Sequence, residues 1–278
     1  MSTRFAQIVM GPAGSGKSTY IRRMAEHYET IKRVVHCVNL DPAADELFYD
    51  PVIDIREAIN VKEVMNKHGF GPNGALIYCM EQVVSDYEWF DTEIGEHEYD
   101  YLLIDFPGQI ELFSHLNILP RLIAMLQEKG YHLCAVFLLD SQFMIDPSKF
   151  LSGGLVALSA MTMLEIPHFN ILSKCDLLSP QQKDTLDLFT EMDTMSLGSS
   201  VKKGTSIDKL TTKICELIDN FNLLQFYPLN IKDEDNVVGI STEIDIILQY
   251  FDNADNDDPE FGNQDMEDEG PDPLENKD

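Results

Sequence analysis

Residues 11–18 read GPAGSGKS and follow an apolar run at 5–10. This spacing matches the phosphate-binding loop G-x-x-x-x-G-K-[ST] at every fixed position. Glycines let the backbone curl so that its N–H groups point inward at the start of a helix, where an anion binds favourably. In such a loop the lysine reaches the β- and γ-phosphates and the serine hydroxyl binds Mg²⁺. We therefore predict that a nucleoside triphosphate is held by Gly14, Ser15, Gly16, Lys17, Ser18 and Thr19.

Apolar runs alternate with segments of helical spacing along the body of the chain. This alternation is typical of an α/β protein with a mainly parallel sheet flanked by helices, and with the phosphate loop it predicts the P-loop NTPase fold. Strands are predicted at 5–10, 34–39, 101–105, 133–139, 168–172 and 226–229. Helices are predicted at 18–28, 61–67, 75–90, 118–129, 151–164, 207–221 and 244–251.

The composition divides the chain into one domain at 1–251 and an acidic tail at 252–278. Twelve Asp and Glu residues and a single lysine lie in the tail, and we expect it to be disordered. Within the domain we expect two insertions. One is helical and covers about 61–95, and the other is polar and mobile and covers about 179–203.

The formal net charge of the chain is −28 at pH 7, and much of it lies outside the tail. Direct nucleic-acid binding is not expected, because phosphate contacts need clustered Lys and Arg. No apolar stretch is long enough to span a bilayer, and the first residues show no signal-peptide pattern. The five cysteines lie far apart, as in proteins with reduced thiols. We expect a cytoplasmic protein with access to the nucleus and no membrane partner.

A second motif follows the predicted strand at 101–105, where residues 105–109 read DFPGQ. Asp105, at the end of an apolar strand, is placed to hold Mg²⁺ directly or through water. By analogy with GTP-hydrolysing switches, the N–H of Gly108 senses the γ-phosphate and Gln109 orients the attacking water. This motif predicts hydrolysis.

A third motif, SKCD at 173–176, follows the predicted strand at 168–172. It is close to the pattern [NT]-K-x-D, in which the aspartate accepts hydrogen bonds from guanine N1–H and N2–H₂. Adenine lacks this pair of donors, so the motif predicts GTP and GDP as ligands. The base would lie among Ser173, Lys174, Cys175 and Asp176, with serine in place of the usual Asn or Thr.

A fourth element, NLDPAA at 39–44, follows the second predicted strand. In open α/β sheets ligands bind beyond the carboxyl ends of the strands. Asp41 is therefore a candidate for the Mg²⁺ shell or for the attacking water. An Asp-Pro turn that merely leaves the sheet explains the same residues equally well.

Together with Gly71-Pro72-Asn73, these motifs resemble the GPN-loop GTPase family. The resemblance is carried by FGPNGALIYCME at 70–81, VNLDPAA at 38–44 and DFPGQIEL at 105–112. It covers about residues 5–250 and is strongest to the third eukaryotic paralogue.

The resemblance implies a dimer, either with a paralogous family member or with a second copy, whose nucleotide sites face the interface. The Gly71-Pro72-Asn73 loop would enter the partner's site, with Asn73 near the γ-phosphate. It implies catalytic roles for Asp41, Asn73 and Gln109, and Mg²⁺ binding by Ser18, Asp41 and Asp105. It also implies a function in the assembly and nuclear import of RNA polymerase II, and of polymerase III, with polymerase subunits as partners.

Two other functions fit the same sequence. The first is an assembly scaffold gated by bound nucleotide, with negligible hydrolysis of its own. The second is a small-molecule kinase, which the SKCD motif and the lack of an arginine-rich lid in the sequence disfavour. The intact Lys17, Ser18, Asp105 and Gln109 favour an enzyme that hydrolyses GTP.

Overall fold

The computed structural model of the chain describes residues 3–85, 87–95, 100–199, 206–221 and 224–251. Seven strands form one parallel sheet in the order β3-β2-β4-β1-β5-β6-β7, which confirms the predicted α/β class. They are β1 (Arg4–Met10), β2 (His36–Asn39), β3 (Pro51–Asp54), β4 (Tyr101–Asp105), β5 (Tyr131–Asp140), β6 (His168–Ser173) and β7 (Tyr227–Pro228).

Helices cover both faces of this sheet. In chain order they are α1 (Lys17–Thr30), α2 (Ile55–Ala58), α3 (Val61–His68), α4 (Pro72–Ser85), α5 (Tyr87–Gly95), α6 (Glu111–Ser114), α7 (Ile118–Glu128), α8 (Pro147–Leu164), α9 (Pro180–Lys183), α10 (Leu186–Thr190), α11 (Thr194–Ser199), α12 (Ser206–Phe221) and α13 (Glu234–Leu248). Single 3₁₀ turns lie at Ser141–Ile145 and Cys175–Leu177.

The central strand β1 is buried on both faces, and its side chains alternate between two cores. Phe5 and Val9 pack in one cluster with α1 and α13, whereas Ala6 and Ile8 pack in a larger one with α7 and α8. The alternation follows from the two-residue period of a strand. Because both faces of the sheet are covered by helices, polar groups for a ligand are concentrated at the carboxyl ends of the strands.

The sequence did not predict strand β3. Pro51 begins it, Asp50 precedes it and Asp54 ends it, so only two apolar residues remain to show a pattern. Its place at the edge of the sheet explains why a proline is tolerated there, since proline has no N–H to donate to a neighbouring strand.

Two predicted helices have different bounds in the structure. The single helix predicted at 75–90 is two helices, α4 and α5, and α4 begins at Pro72, so the Gly-Pro-Asn motif enters its first turn. The last helix, predicted to begin at residue 244, begins at Glu234. Its acidic first turn obscured the apolar pattern, although acidic residues are favourable at a helix N-terminus.

The polar segment at 179–203 was expected to be a mobile insertion. Its described part instead forms α9, α10 and α11, and Phe189 and Leu197 are buried in the larger core. A few well-spaced apolar residues are enough to anchor a segment whose composition is otherwise polar.

The remaining expectations from composition concern the cysteines, membrane-spanning helices and the acidic tail. All five cysteines are buried and unpaired, as expected for reduced thiols. No helix in the described part of the chain has the length and apolar character needed to cross a bilayer. The acidic tail and the end of the polar insertion at 200–203 lie outside the described residues.

Candidate functional site

The loop at 11–18 joins the end of β1 to the start of α1. Gly11 has φ 143°, and a Cβ there would lie 2.3 Å from the carbonyl oxygen of Leu138, so only glycine fits. Gly14 and Gly16 have φ of 77° and 93°, in the left-handed region that glycine adopts without strain. Gly16 is the N-cap of α1, so Lys17, Ser18 and Thr19 lie in its first turn. The loop therefore has the backbone conformation that the predicted phosphate cradle requires.

The side chains of this first turn meet β4 at Asp105. Ser18 Oγ donates a hydrogen bond to Asp105 Oδ2 at 2.7 Å, and Tyr49 Oη donates to the same oxygen at 3.0 Å. Burial raises the pKa of Asp105, although the hydrogen bond from Ser18 and the charge of Lys17 oppose this rise. Ser18 and Asp105, each predicted to bind Mg²⁺, are thus in direct contact. Tyr49 was missed, because no motif marks a tyrosine in the segment between β2 and β3.

Lys17 is buried at the base of the loop. Its Nζ donates to the carbonyl of Gly11 at 3.3 Å. Burial lowers the pKa of this ammonium, whereas the negative charges of Asp105 and Asp41 raise it. Lys17 is thus a buried cation with two acidic neighbours. Such a cation can bind phosphate groups, because their negative charge attracts it far more strongly than the uncharged carbonyl of Gly11 does.

Asp41 begins a tight turn after β2. Its backbone N–H donates to Asn39 Oδ1 at 3.0 Å, and its Oδ1 accepts from the N–H of Ala43 at 2.9 Å. Burial raises the pKa of Asp41, with that hydrogen bond and the charges of Lys17 and Arg56 acting in the opposite direction. Asp41 therefore both begins the Asp-Pro turn and supplies a negative charge that acts on Lys17. The interpretation as a turn and the interpretation as a site residue are compatible.

Two side chains from β3 and α2 hold this turn. Asn39 Nδ2 donates to Asp54 Oδ1 at 2.8 Å, and Arg56 forms an ion pair with Asp54 at 2.5 Å. Arg56 Nη1 also donates to the carbonyl of Ala44 at 3.1 Å. The turn that carries Asp41 is thus attached at both ends to the edge of the sheet.

The DFPGQ segment passes directly over the loop. A Cβ at Gly108 would lie 2.8 Å from Ala13 Cα and 3.0 Å from Lys17 Nζ, so only glycine allows this approach. Gln109 Oε1 and Ser15 Oγ are both buried and lack a hydrogen-bond partner among the described residues. Buried polar atoms ordinarily have a partner, so both atoms fit a site that receives a polar ligand or a water.

The SKCD segment is tied to the phosphate loop by its first residue. Ser173 Oγ donates to the carbonyl of Ser15 at 2.6 Å and to that of Leu139 at 3.2 Å. Lys174 has φ 61°, and its Nζ lies 2.6 Å from Asp140 Oδ2. A serine therefore provides the link between the two segments, although the usual pattern has Asn or Thr there.

The last two residues of SKCD face different surroundings. Cys175 is buried in the larger core, and its thiol donates to the carbonyl of Leu172 at 3.1 Å. Asp176 is paired with Lys232, whose Nζ lies 2.9 Å from Asp176 Oδ2. Lys232 is a further residue that sequence reasoning missed, because it lies in a loop more than fifty residues later.

The side chains of the Gly-Pro-Asn motif have no polar partner among the described residues. Gly71, Pro72 and Asn73 are exposed, and the Asn73 side chain makes no hydrogen bond with any described residue. Pro72 is the first residue of α4, where its fixed φ suits a helix start. The rings of Phe70 and Tyr78, 5.7 Å apart, brace the turn. The motif is a rigid, outward-facing helix start, and we had expected a loop between two helices.

The donors at Ser18 and Asp105 fit Mg²⁺, which prefers hydroxyl and carboxylate oxygens. No three His, Cys, Asp or Glu side chains cluster as a metal site within the residues that the structure describes. A magnesium ion held at Ser18 and Asp105 would thus take further ligands from phosphate oxygens and water, as it commonly does with nucleotides. Asp41 acts on this pair electrostatically, since its charge contributes to the raised pKa of Asp105.

Comparisons with known proteins agree with this geometry. A protein-family profile described as "Conserved hypothetical ATP binding protein" matches residues 9–250. A Danio rerio protein named GPN-loop GTPase 3 is 46% identical over 252 residues, which cover 89% of this chain and 88% of that protein. The chain belongs to the GPN-loop GTPase family. A Saccharomyces cerevisiae protein of the same name is 41% identical over 263 residues, which cover 92% of this chain and 97% of that protein.

The fold of this GPN-loop GTPase is also similar to that of a solved structure. The crystal structure of a GTPase in apo form from Pyrococcus abyssi has a TM-score of 0.73 at 28% identity, and covers 86% of this chain and 95% of its own. The predicted P-loop fold is confirmed. The resemblance to the third eukaryotic paralogue is confirmed as well, since relatives from fish and yeast carry that number in their names.

Proposed function

We propose that this protein binds GTP and hydrolyses it to GDP and phosphate as part of a dimer. The observation that carries the proposal is the convergence of the first turn of α1 with the end of β4. There Lys17 is buried, Ser18 is hydrogen-bonded to Asp105, and Gln109 Oε1 is buried without a partner among the described residues.

Each of these residues has a task in the proposed reaction. Water attacks the γ-phosphorus while its bond to the oxygen shared with the β-phosphate breaks, and GDP and inorganic phosphate leave. Gln109 Oε1 accepts a hydrogen bond from the attacking water, and Asp41, whose charge acts on Lys17, assists in orienting that water. Lys17 neutralises charge on the phosphates, and Mg²⁺ bound at Ser18 and Asp105 would supply further positive charge there.

The base is proposed to be guanine. The family profile is described by ATP binding, whereas the curated relatives are named GTPases. A carboxylate accepts hydrogen bonds and cannot donate them when ionised. Asp176, which follows β6, is therefore suited to the N1–H and N2–H₂ donors of guanine, and adenine offers no such pair.

The dimer is proposed because the Asn73 side chain has no partner among the described residues of its own chain. It is exposed and lies in the first turn of a 14-residue helix. Arg56, whose charge acts on Asp41, already forms an ion pair with Asp54 and a hydrogen bond with the carbonyl of Ala44. An asparagine from a second subunit is a substitute for a trans-acting arginine, because positioning contributes much of phosphoryl-transfer catalysis.

The cellular role follows from the family resemblance. We propose assembly and nuclear import of RNA polymerase II, and of polymerase III, by a protein that moves between cytoplasm and nucleus. Its dimer partner would be the first eukaryotic paralogue or a second copy of the chain. The alternative is a scaffold gated by bound nucleotide, in which the partner performs any hydrolysis.

The first experiment measures GTP and ATP hydrolysis by the full chain, alone and mixed with the first paralogue, with Lys17→Ala as the inactive control. Turnover of GTP alone that rises on mixing supports the dimer-dependent GTPase. Tight GTP binding without turnover in either sample supports the scaffold. Equal binding of ATP and GTP contradicts the guanine assignment.

A further inference from the structure

Lys232 lies against the carboxylate that we propose recognises the base. Its Nζ is 2.9 Å from Asp176 Oδ2. The side chain of Asp176 is only 8% exposed, whereas that of Lys232 is 68% exposed. Asp176 therefore lies in a recess, and the ammonium approaches one of its two oxygens from the outer side.

The loop that carries Lys232 is attached to the base-binding segment through the backbone. Leu229, just after β7, donates its N–H to the carbonyl of Leu172 at 2.8 Å. Its own carbonyl accepts from the N–H of Cys175 at 3.0 Å. These two bonds continue the sheet beyond its formal end, so the loop after β7 is held beside the SKCD segment.

Further bonds fix the backbone of Lys232 itself. Its N–H donates to Asn230 Oδ1 at 3.0 Å, and the N–H of Asn230 donates to Asn236 Oδ1 at 2.8 Å. From α1, Arg23 Nε donates to the carbonyl of Ile231 at 3.1 Å. The side chain of Lys232 thus extends from a position that is set before any ligand binds.

Guanine presents three groups in a row on one edge, namely the O6 acceptor, the N1–H donor and the N2–H₂ donors. An ionised carboxylate has about four acceptor positions, so Asp176 can bind both donors while keeping the ammonium of Lys232. A lysine ammonium has three donors, of which the pair with Asp176 uses one. The remaining donors lie within reach of an acceptor next to N1, which is where guanine carries O6.

We propose that Lys232 is a second base-recognition residue, which donates to guanine O6 while Asp176 accepts from N1–H and N2–H₂. The inference deepens the proposed guanine specificity and rests on it. Adenine is rejected twice by this pair, because it lacks N1–H and turns its N6–H₂ donors toward the ammonium. Lys232 therefore acts on specificity as well as on affinity.

A different role for the same contact gives opposite results. If Lys232 only covers Asp176 in the absence of nucleotide, guanine must displace it, and its removal strengthens binding. If Lys232 reads O6, its removal weakens binding, and the loss depends on the atom at position 6 of the base. The two roles are separated by changing that atom and the lysine together.

The experiment titrates full-length wild-type protein and Lys232→Met with GDP, 6-thio-GDP and ADP by calorimetry. Methionine keeps the aliphatic stem and removes the charge, and sulfur at position 6 is a weaker acceptor that leaves the N1–H and N2–H₂ donors in place. The matched control is Lys213→Met, which removes an equally exposed lysine paired with Glu216 at 2.6 Å on α12. Thermal melting checks that each variant is folded.

We expect Lys232→Met to bind GDP about tenfold more weakly, as for the loss of one charged hydrogen bond. The preference of wild-type protein for GDP over 6-thio-GDP should disappear in this variant, and Lys213→Met should match wild type. Unchanged or tighter GDP binding, or an unchanged preference for GDP over 6-thio-GDP, overturns the role of Lys232. If wild-type protein binds ADP as well as GDP, the guanine assignment itself is wrong, and the inference fails with it.

Discussion

Lys17 and Asp105 lie buried at the phosphate loop, whereas Gly71, Pro72 and Asn73 are exposed at the start of α4. Lys17 and Asp105 are hydrogen-bonded within the chain, as buried polar groups ordinarily are. The side chain of Asn73 bonds to no described residue, because an exposed amide can bond to water instead. The residues that we propose hold the phosphates are therefore packed together within one chain. The motif that names the family is exposed, which fits the proposal that it acts on a second subunit.

The largest effect is expected from Lys17→Ala in the phosphate loop. Removing the buried ammonium leaves the phosphates without their main counter-charge, so GTP affinity should fall by at least about a hundredfold. Equilibrium binding of GTP measures it, with Lys213→Ala as a control that removes an exposed lysine. Affinity within about threefold of wild type would show that this site does not hold the phosphates.

Asn73→Ala is expected to lower the rate of hydrolysis and to leave GTP affinity unchanged. Because the Asn73 side chain is exposed and bonds to no described residue, GTP affinity of the isolated chain should not change. Hydrolysis by the assembled dimer should fall by about tenfold or more, since a group that acts only on the transition state is lost.

Asn66→Ala provides the matched control for that variant. Asn66 is an exposed asparagine on α3, in the same helical insertion. Steady-state kinetics of both variants in the dimer distinguish a role in catalysis from a general effect on the insertion. If Asn73→Ala has full turnover, or if Asn66→Ala is equally slow, the proposed role of the turn is wrong.

Tyr49→Phe removes one hydrogen bond to Asp105 from the buried site at the phosphate loop. The phenol donates to Asp105 Oδ2 and thereby lowers the pKa of Asp105 against the larger effect of burial, which raises it. Without the phenol the pKa of Asp105 rises further. Activity that needs ionised Asp105 is lost as the pH falls through this pKa, so the acid limb of the profile should move to higher pH.

The pH profile of GTP hydrolysis between about pH 5 and 8 measures this shift. At the acid end we expect activity to be a few-fold lower than wild type, and the two proteins should converge at the alkaline end. A uniform reduction at every pH would instead show that Tyr49 contributes through packing.

The smallest effect is expected from Arg56→Lys. The guanidinium joins Asp54 to the carbonyl of Ala44, and a lysine keeps the charge but cannot make both contacts in the same planar arrangement. The turn that carries Asp41 should loosen, which lowers turnover about twofold to fivefold while GTP affinity stays the same. Single-turnover measurements with saturating GTP test this, and a loss confined to affinity would contradict a role through Asp41.

Much of the site could be predicted because its residues follow the ends of apolar strands. Motifs with fixed spacing marked Lys17, Ser18, Asp105 and Ser173. In the structure Ser18 bonds to Asp105, and Lys17 and Ser173 each bond to a backbone carbonyl of the phosphate loop. Tyr49, Arg56 and Lys232 could not be found in this way. Tyr49 and Lys232 reach Asp105 and Asp176 from loops more than fifty residues away in the sequence. Arg56 reaches the carbonyl of Ala44 from the short helix α2, and no local pattern encodes these contacts.

The sequence by itself determined the parallel α/β class, the phosphate loop and the family, since these depend on local periodicity and on motifs whose backbone conformation needs glycine. Only the tertiary structure decided that Tyr49 binds Asp105, that Lys232 pairs with Asp176 and that Asn73 faces outward. These are consequences of strand order and helix ends. They arise when residues far apart in the chain are packed onto one edge of the sheet, and no single segment carries that information.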